Sequence, residues 1–271
     1  MLPEEERCGP DGLHMDKSLL SNYAHYYEAA SFLLQQRDKE EVERFARIVA
    51  SGGRNLAIMD VGCAEGELSV LLARQGHKVT AADISPSFLD QTKRRAAENG
   101  VVVSTVLLDV EQQPRPELEN SFDVIYLMDV IEHLRCPAQG LVTLRAMLHE
   151  KGTLVIHTPN LASLGQVYRY VKFRKKRENY FLPRNLGDLH LQGYDYQTLE
   201  KALNFAGLKI RDVLPTVVSV PVLYKFAWAR PLSRWLSRVF PLISDTLLVA
   251  CEKTAPIDLE KQIDFWRQTH P

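Results

Sequence analysis

Two carboxylates and an imidazole fall within one short stretch, Asp129-Val130-Ile131-Glu132-His133. A neutral imidazole titrates near physiological pH and can take a proton from a reacting group. Carboxylate and imidazole together also suit Mg²⁺, Mn²⁺ or Zn²⁺. A third reading is structural, with Glu132 and His133 hydrogen-bonding the backbone beside a ligand. Two later imidazoles, His157 and His190, join the candidates. For activating an acceptor the order is His133, then Glu132, His157 and His190.

A second stretch prepares a binding site rather than a reaction. Residues 56–61 are an apolar strand ending in Asp60-Val61, and residues 67–75 are a helix with Leu68, Val70, Leu71 and Leu72 on one side. Between them stand Gly62, Cys63, Ala64 and Gly66. Glycine permits positive φ and close approach of a ligand to the backbone. The helix start behind the turn offers unpaired N–H groups and a positive dipole end. That combination suits a nucleoside carrying a carboxylate or phosphate. Asp83 ends the next strand, about twenty residues past the turn, where such folds place the acid that grips a ribose diol.

These residues need elements to hold them. Strands are expected at 56–61, 77–82, 101–108, 122–128, 152–157, 208–213 and 246–251. Helices are expected at 67–75, from Ser85-Pro86 to about residue 98, at 134–148 and at 199–206. Strand 122–128 is apolar almost throughout, as a central parallel strand must be. The alternation predicts an α/β fold with a Rossmann-like, doubly wound sheet of seven strands. Ligands of such sheets bind outside the carboxyl ends of the strands. Asp60, Asp83, Asp109, Asp129 and His157 all fall at or near such ends.

Together the segments LAIMDVGCAEGELSVLLARQGHKVTAADIS, LLDVEQQP and SFDVIYLMDVIEHL resemble the class I S-adenosylmethionine-dependent methyltransferases. The resemblance covers residues 23–253. It implies S-adenosyl-L-methionine as cofactor, with the product S-adenosyl-L-homocysteine. It assigns Gly62, Ala64 and Gly66 to the methionine part, Asp83 to the ribose, and Asp109 with the Val110 N–H to adenine. Asp60, Cys63, Ile84, Ser85, Met128 and Val130 complete the cofactor-binding set, and Tyr26 or Tyr27 reaches it from an N-terminal helix. An aromatic stripe docking that helix on the core is the alternative for the tyrosines. Ala64 stands where the family has its middle glycine, and its φ is expected to stay negative. The last strand is expected to be antiparallel, between the fourth and sixth positions of the sheet.

Residues 129–133 also resemble the E-x-x-E-H segment of ubiquinone-biosynthesis O-methyltransferases and of small-RNA 2′-O-methyltransferases. The resemblance implies a divalent metal site of Asp129, Glu132, His133 and His190. Asp129 is one methylene shorter than the glutamate of the pattern. The expected function is therefore a methyltransferase acting on a small-molecule acceptor, with oxygen favoured. RNA 2′-O-methylation and a non-catalytic cofactor-binding module are the alternatives.

Composition sets the outer bounds. The chain has 271 residues, 45% hydrophobic and 25% charged, with a formal net charge of -1. That balance argues against general polyanion binding, and nucleic acid is not the expected partner. Cys8, Cys63, Cys136 and Cys251 are scattered without metal-ligand spacing, which fits a reducing cytoplasm. No signal segment or long apolar run is seen. The expected organisation is an N-terminal helical lid at 1–50, a cofactor-binding core at 51–160 and a basic cap insertion at 161–198. The rest of the core sheet follows at 199–253 with an aromatic and basic insertion at 214–242, then a tail at 254–271. The basic run from Arg169 to Arg177 could steer an anionic acceptor, while a solvated lid helix is the preferred reading. The second insertion could rest on a membrane through Trp228, Trp235 and Phe240, while burial as a cap over the acceptor pocket or in a dimer contact is the preferred reading. A lipid-linked acceptor and peripheral membrane contact are carried as expectations, as is a monomer or homodimer.

Overall fold

The computed structural model describes residues 55–112, 115–173, 190–218 and 230–255. Tyr26, Tyr27, Trp228 and most of the basic run, residues 174–177, lie outside the described residues, as do the 1–50 lid and most of the 254–271 tail.

A seven-stranded sheet organises everything described. The strands are β1 (Ala57–Val61), β2 (Lys78–Asp83), β3 (Ser104–Leu107), β4 (Phe122–Met128), β5 (Leu148–Pro159), β6 (Leu208–Leu214) and β7 (Thr246–Lys253). Their order is β3-β2-β1-β4-β5-β7-β6. The β1–β2, β1–β4, β2–β3 and β4–β5 pairings are parallel, while β7 runs antiparallel to both neighbours. The last strand thus lies between β5 and β6, one place further out than expected. The chain reaches β7 from the carboxyl edge of the sheet, so it must run back down, and there it hydrogen-bonds both neighbours. Reversal of order at β1 and β4 creates the switch point beside which ligands of such sheets bind.

Helices α1 (Glu67–Arg74), α2 (Pro86–Glu98), α3 (Pro137–Met147), α4 (Leu164–Phe173), α5 (Tyr196–Phe205) and α6 (Arg230–Val239) connect the strands. Local chemistry sets their ends. Ser85 caps α2 by accepting from the Phe88 N–H at 3.3 Å, with Pro86 in the first turn. Asp195 and Thr198 form a reciprocal capping box on α5. Helix α3 begins only at Pro137, because residues Ile131–His133 form a separate 3₁₀ turn.

Two expected strands change length. β3 starts at Ser104 rather than residue 101, since it is an edge strand and Val102 is exposed to solvent. β5 is longer than expected at both ends, because β4 and β7 together offer it partners along its length. One face of the sheet packs Met59, Ile125, Leu127, Leu154, Ile156 and Val249 with side chains of α3 and α5. The other packs Ile58, Tyr126, Met128 and Val155 with Leu68 and Leu72 of α1. Among the described residues no helix is long and apolar enough to cross a membrane.

Candidate active site

The small-residue turn after β1 is built from backbone hydrogen bonds. The N–H groups of Gly62 and Cys63 both donate to the Ala82 carbonyl, at 2.8 and 3.1 Å, tying the turn to β2. Gly62 and Gly66 have φ of 69° and 76°, which favour glycine. A Cβ at Gly62 would stand 2.3 Å from Val130 Cγ2, and one at Gly66 would stand 2.5 Å from the Thr92 side chain. Ala64 also lies in the left-handed region, at φ 47°, against the expectation of a negative angle. Its backbone is held there from both sides. Its N–H donates to Asp83 Oδ2 at 3.0 Å, and its carbonyl accepts from Thr92 Oγ1 at 3.1 Å. An alanine in this conformation costs on the order of 1–2 kcal/mol, which these bonds offset.

Asp83 is therefore a brace as well as a ligand candidate. Its Oδ1 accepts from the Ser85 N–H at 2.9 Å, so each oxygen already holds one end of the turn. A carboxylate has about four lone-pair sites, so these two bonds do not by themselves fill it. Asp60 is buried and accepts from Ser69 Oγ at 2.6 Å. Burial, then Asp60 and Asp83, push the Cys63 thiol upward, so it is a packing residue and not a nucleophile. Asp109 turns on itself: Oδ1 accepts from the Glu111 N–H at 2.9 Å and Oδ2 from Gln112 Nε2 at 3.3 Å. Ile84 and Val130 are half-buried, while Met128 and Val110 are buried, at the same edge of the sheet. Spacing had not singled out Ser69, Thr92 or Arg95, which packs on Glu65 at 2.9 Å. Their positions on α1 and α2 facing the turn were the available clue.

The second group forms beyond β4. The N–H groups of Leu191 and Gln192 both donate to the Glu132 carbonyl, at 2.8 and 2.9 Å. This brings His190 to His133, with ring centroids 4.7 Å apart. Glu132, His133 and His190 offer ligand atoms that lie within 4.8 Å of one another. Glu132 is buried; its Oε2 accepts from Thr158 Oγ1 at 2.9 Å, and its Oε1 has no hydrogen-bond partner among the described residues. Burial, then the charge of Asp129, pushes the Glu132 carboxyl up to about 8. Both imidazoles are half-exposed, so a ligand can reach them.

Asp129 does not join this group, contrary to the expected set of four. It adopts φ 51° at the end of β4, and its Oδ1 lies 2.7 Å from His157 Nδ1. Its short side chain and left-handed backbone turn it toward β5. The remaining three could hold a divalent ion, since one carboxylate oxygen and two imidazoles make a mixed donor set. Without an ion, the same imidazoles can move a proton.

This sheet order, with its glycine-cornered turn at the switch point, fits an S-adenosylmethionine-dependent methyltransferase of class I. A family model described as a methyltransferase domain matches residues 26–213, and the chain belongs to that family. The ubiquinone biosynthesis O-methyltransferase of Xylella fastidiosa (strain 9a5c) is 35% identical over 118 residues, covering 42% of this chain and 45% of that protein. The match thus spans about half the length of that relative. Among solved structures, the 1,6-didemethyltoxoflavin-N1-methyltransferase of Burkholderia thailandensis, bound to 1,6-didemethyltoxoflavin and S-adenosylhomocysteine, superposes with a TM-score of 0.58 at 18% identity, covering 88% of each chain. The magnesium protoporphyrin IX methyltransferase of Synechocystis PCC 6803, bound to S-adenosylhomocysteine, gives 0.55 at 16% identity, covering 79% of this chain and 83% of that one. At such identities these likenesses show the fold.

Proposed function

We propose that the chain methylates a hydroxyl oxygen of a small molecule, and that Glu132, His133 and His190 activate that hydroxyl. The observation that carries this reading is the half-exposed imidazole pair beside a buried carboxylate, at the carboxyl edge of the sheet next to the glycine turn. The O-methyltransferase relative supports the choice of oxygen.

S-adenosylmethionine supplies the methyl group on a positively charged sulfur. The turn of Gly62, Ala64 and Gly66 receives its methionine part, with Asp60 and Cys63 behind. Asp83 takes the ribose hydroxyls through its remaining lone pairs, flanked by Ile84 and Ser85. Asp109 and the Val110 backbone receive the adenine, and Met128 and Val130 close the apolar side. Transfer is an in-line displacement, so alignment of the two reactants supplies much of the acceleration. His133 would take the hydroxyl proton as an oxygen–carbon bond forms and the methyl carbon–sulfur bond breaks, leaving the acceptor as a methyl ether and the cofactor as S-adenosyl-L-homocysteine. His190, 4.7 Å away between ring centroids, orders that imidazole. A divalent ion held by Glu132, His133 and His190 would supply Lewis acidity to the same hydroxyl. Asp129 holds His157 beside them.

The test is a screen of phenols, alcohols, amines and carboxylates with methyl-labelled cofactor, repeated with a chelator and with His133→Ala. Methyl ether products lost in His133→Ala support the reading. Loss in chelator, restored by Mg²⁺, Mn²⁺ or Zn²⁺, selects the metal form of activation; no effect selects the imidazole alone. Transfer only to nitrogen or carbon, or turnover indifferent to Glu132, His133 and His190, sinks it.

A further inference from the structure

Helix α6 presents its apolar stripe outward. Leu232, Trp235, Leu236 and Val239 recur at helical spacing on one side. Trp235 is 55% exposed and Val239 47%, and Phe240 follows at 52%, with Leu232 and Leu242 exposed as well. The inward side is small and polar instead. Ser237 is buried and donates to the Arg234 carbonyl at 3.0 Å. A helix packed for a globular core shows the reverse arrangement. Arg234 and Arg238, one turn apart, are exposed beside the stripe. Residues 215–244 carry Lys225, Arg230, Arg234 and Arg238 and no acid, in a chain whose net charge is -1.

Helix α4 repeats the pattern. On α4, Val167, Tyr168, Tyr170 and Val171 are exposed, and Lys172 lies 5.6 Å above the Tyr168 ring. Helix α4 lies close to the segment that follows α6: a Cβ on Gly165 would reach Asp245 Oδ1 at 3.7 Å. Asn160 then fastens that segment to the end of β5. Its Nδ2 donates to the Leu242 and Ser244 carbonyls at 2.9 and 2.7 Å, and its N–H donates to the Asp245 carbonyl at 2.9 Å. The apolar face is thus anchored at the edge of the sheet that carries His157 and Glu132.

We propose that this face is a docking surface for an anionic phospholipid bilayer. Exposed tryptophan and phenylalanine with arginines alongside match the acyl boundary and the negative headgroups together. The ten residues of α6 are far too few to span a membrane, so the helix lies in the interface. A second copy of the chain is a poor occupant, because two such faces would bring arginines against arginines. This surface does not depend on the acceptor proposed above.

The experiment sediments the full-length protein with vesicles of phosphatidylcholine, with and without phosphatidylglycerol. The protein is expected to pellet with the phosphatidylglycerol vesicles and to stay in solution with phosphatidylcholine alone. Its tryptophan emission should shift to the blue on binding, and the shift should shrink in Trp235→Phe. Arg234→Glu with Arg238→Glu should weaken partition by more than about tenfold, and Trp235→Ser with Phe240→Ser by about tenfold. Calorimetry with S-adenosylmethionine should show unchanged affinity in all variants, which separates lost docking from lost fold. Failure to pellet with the anionic vesicles overturns the proposal, as does equal pelleting of the charge-reversed variant. Dimer dissociation by Trp235→Ser in sedimentation velocity would assign the face to a second copy and also overturn it.

Discussion

The turn edge and the Glu132 group sit at the same rim of one sheet yet are built on opposite principles. Around the turn nearly every polar group is committed within the protein: Asp60 to Ser69, Asp83 to two backbone N–H groups, Asp109 to its own turn. Beyond β4, Glu132 keeps a buried oxygen without a partner among the described residues, and two imidazoles stay half-exposed. The first region spends its polar groups on shape, which pre-organises a backbone cradle. The second holds a carboxyl in an unfavourable environment, which is how proteins keep a group ready to act. Val130 joins them, since it closes over Gly62 from the segment that leads to Glu132.

The largest break in this contrast should come from Asp83→Ala. It leaves the Ala64 and Ser85 N–H groups without their acceptor, at about 1–3 kcal/mol each, and removes the acid proposed to take the ribose. Calorimetry should show affinity for S-adenosylmethionine falling by roughly a hundredfold or more, with a lowered melting temperature. Replacing His190 by alanine should leave that affinity nearly intact, which would confirm that the two regions are separable.

Gly62→Ala tests the seam between them. The new Cβ meets Val130 Cγ2 and the φ of 69° is strained, so a loss of about 2–4 kcal/mol in urea unfolding is expected. Adding Val130→Ala should recover the steric part, with a coupling of about 1 kcal/mol or more. Additive losses would mean that the two regions do not touch through this contact.

The Glu132 carboxyl predicts a pH dependence of stability. Its pKa is raised in the folded chain, so the folded state binds this proton more tightly than the unfolded state. Its contribution is fully present below the unfolded carboxyl pKa near 4.5 and is lost as pH rises through about 8. Glu132→Gln should therefore be more stable than the wild type at alkaline pH, with the gap closing in acid. Urea midpoints at both ends of that range would show it. A saturating divalent ion should shrink the gap if the group holds one, because a bound ion favours the ionised carboxylate.

The smallest effect belongs to Ala64→Gly. Relief of the left-handed alanine should raise stability by about 0.5–1 kcal/mol, net of the added freedom of the unfolded chain. The thermal midpoint should rise slightly while cofactor affinity holds. A drop would show that the Asp83 and Thr92 bonds already remove the strain.

Much of the frame was legible residue by residue. The Ser85-Pro86 start of α2, the glycines of the turn and the apolar run of β4 depend on near neighbours in the chain, and each was read from them. The Ala64 angle was misjudged because the bonds that impose it come from Asp83 and Thr92, one on the next strand and one on the next helix. The pairing of Asp129 with His157 was not legible for a similar reason. His157 is 28 residues away and reaches Asp129 only because β4 and β5 pair in register, Met128 opposite His157.

Local order in the chain was enough to determine the strand–turn–helix unit, the alternation that makes a doubly wound sheet, and the family to which it belongs. Periodicity, capping and glycine conformation act over a few residues and need no tertiary context. Only the folded chain decided that Glu132, His133 and His190 meet while Asp129 turns to His157, that Asp83 braces the turn, and that α6 shows its apolar side outward. Each of these depends on which distant side chains share a space, and on how far that space excludes water. Strand register and helix packing set both.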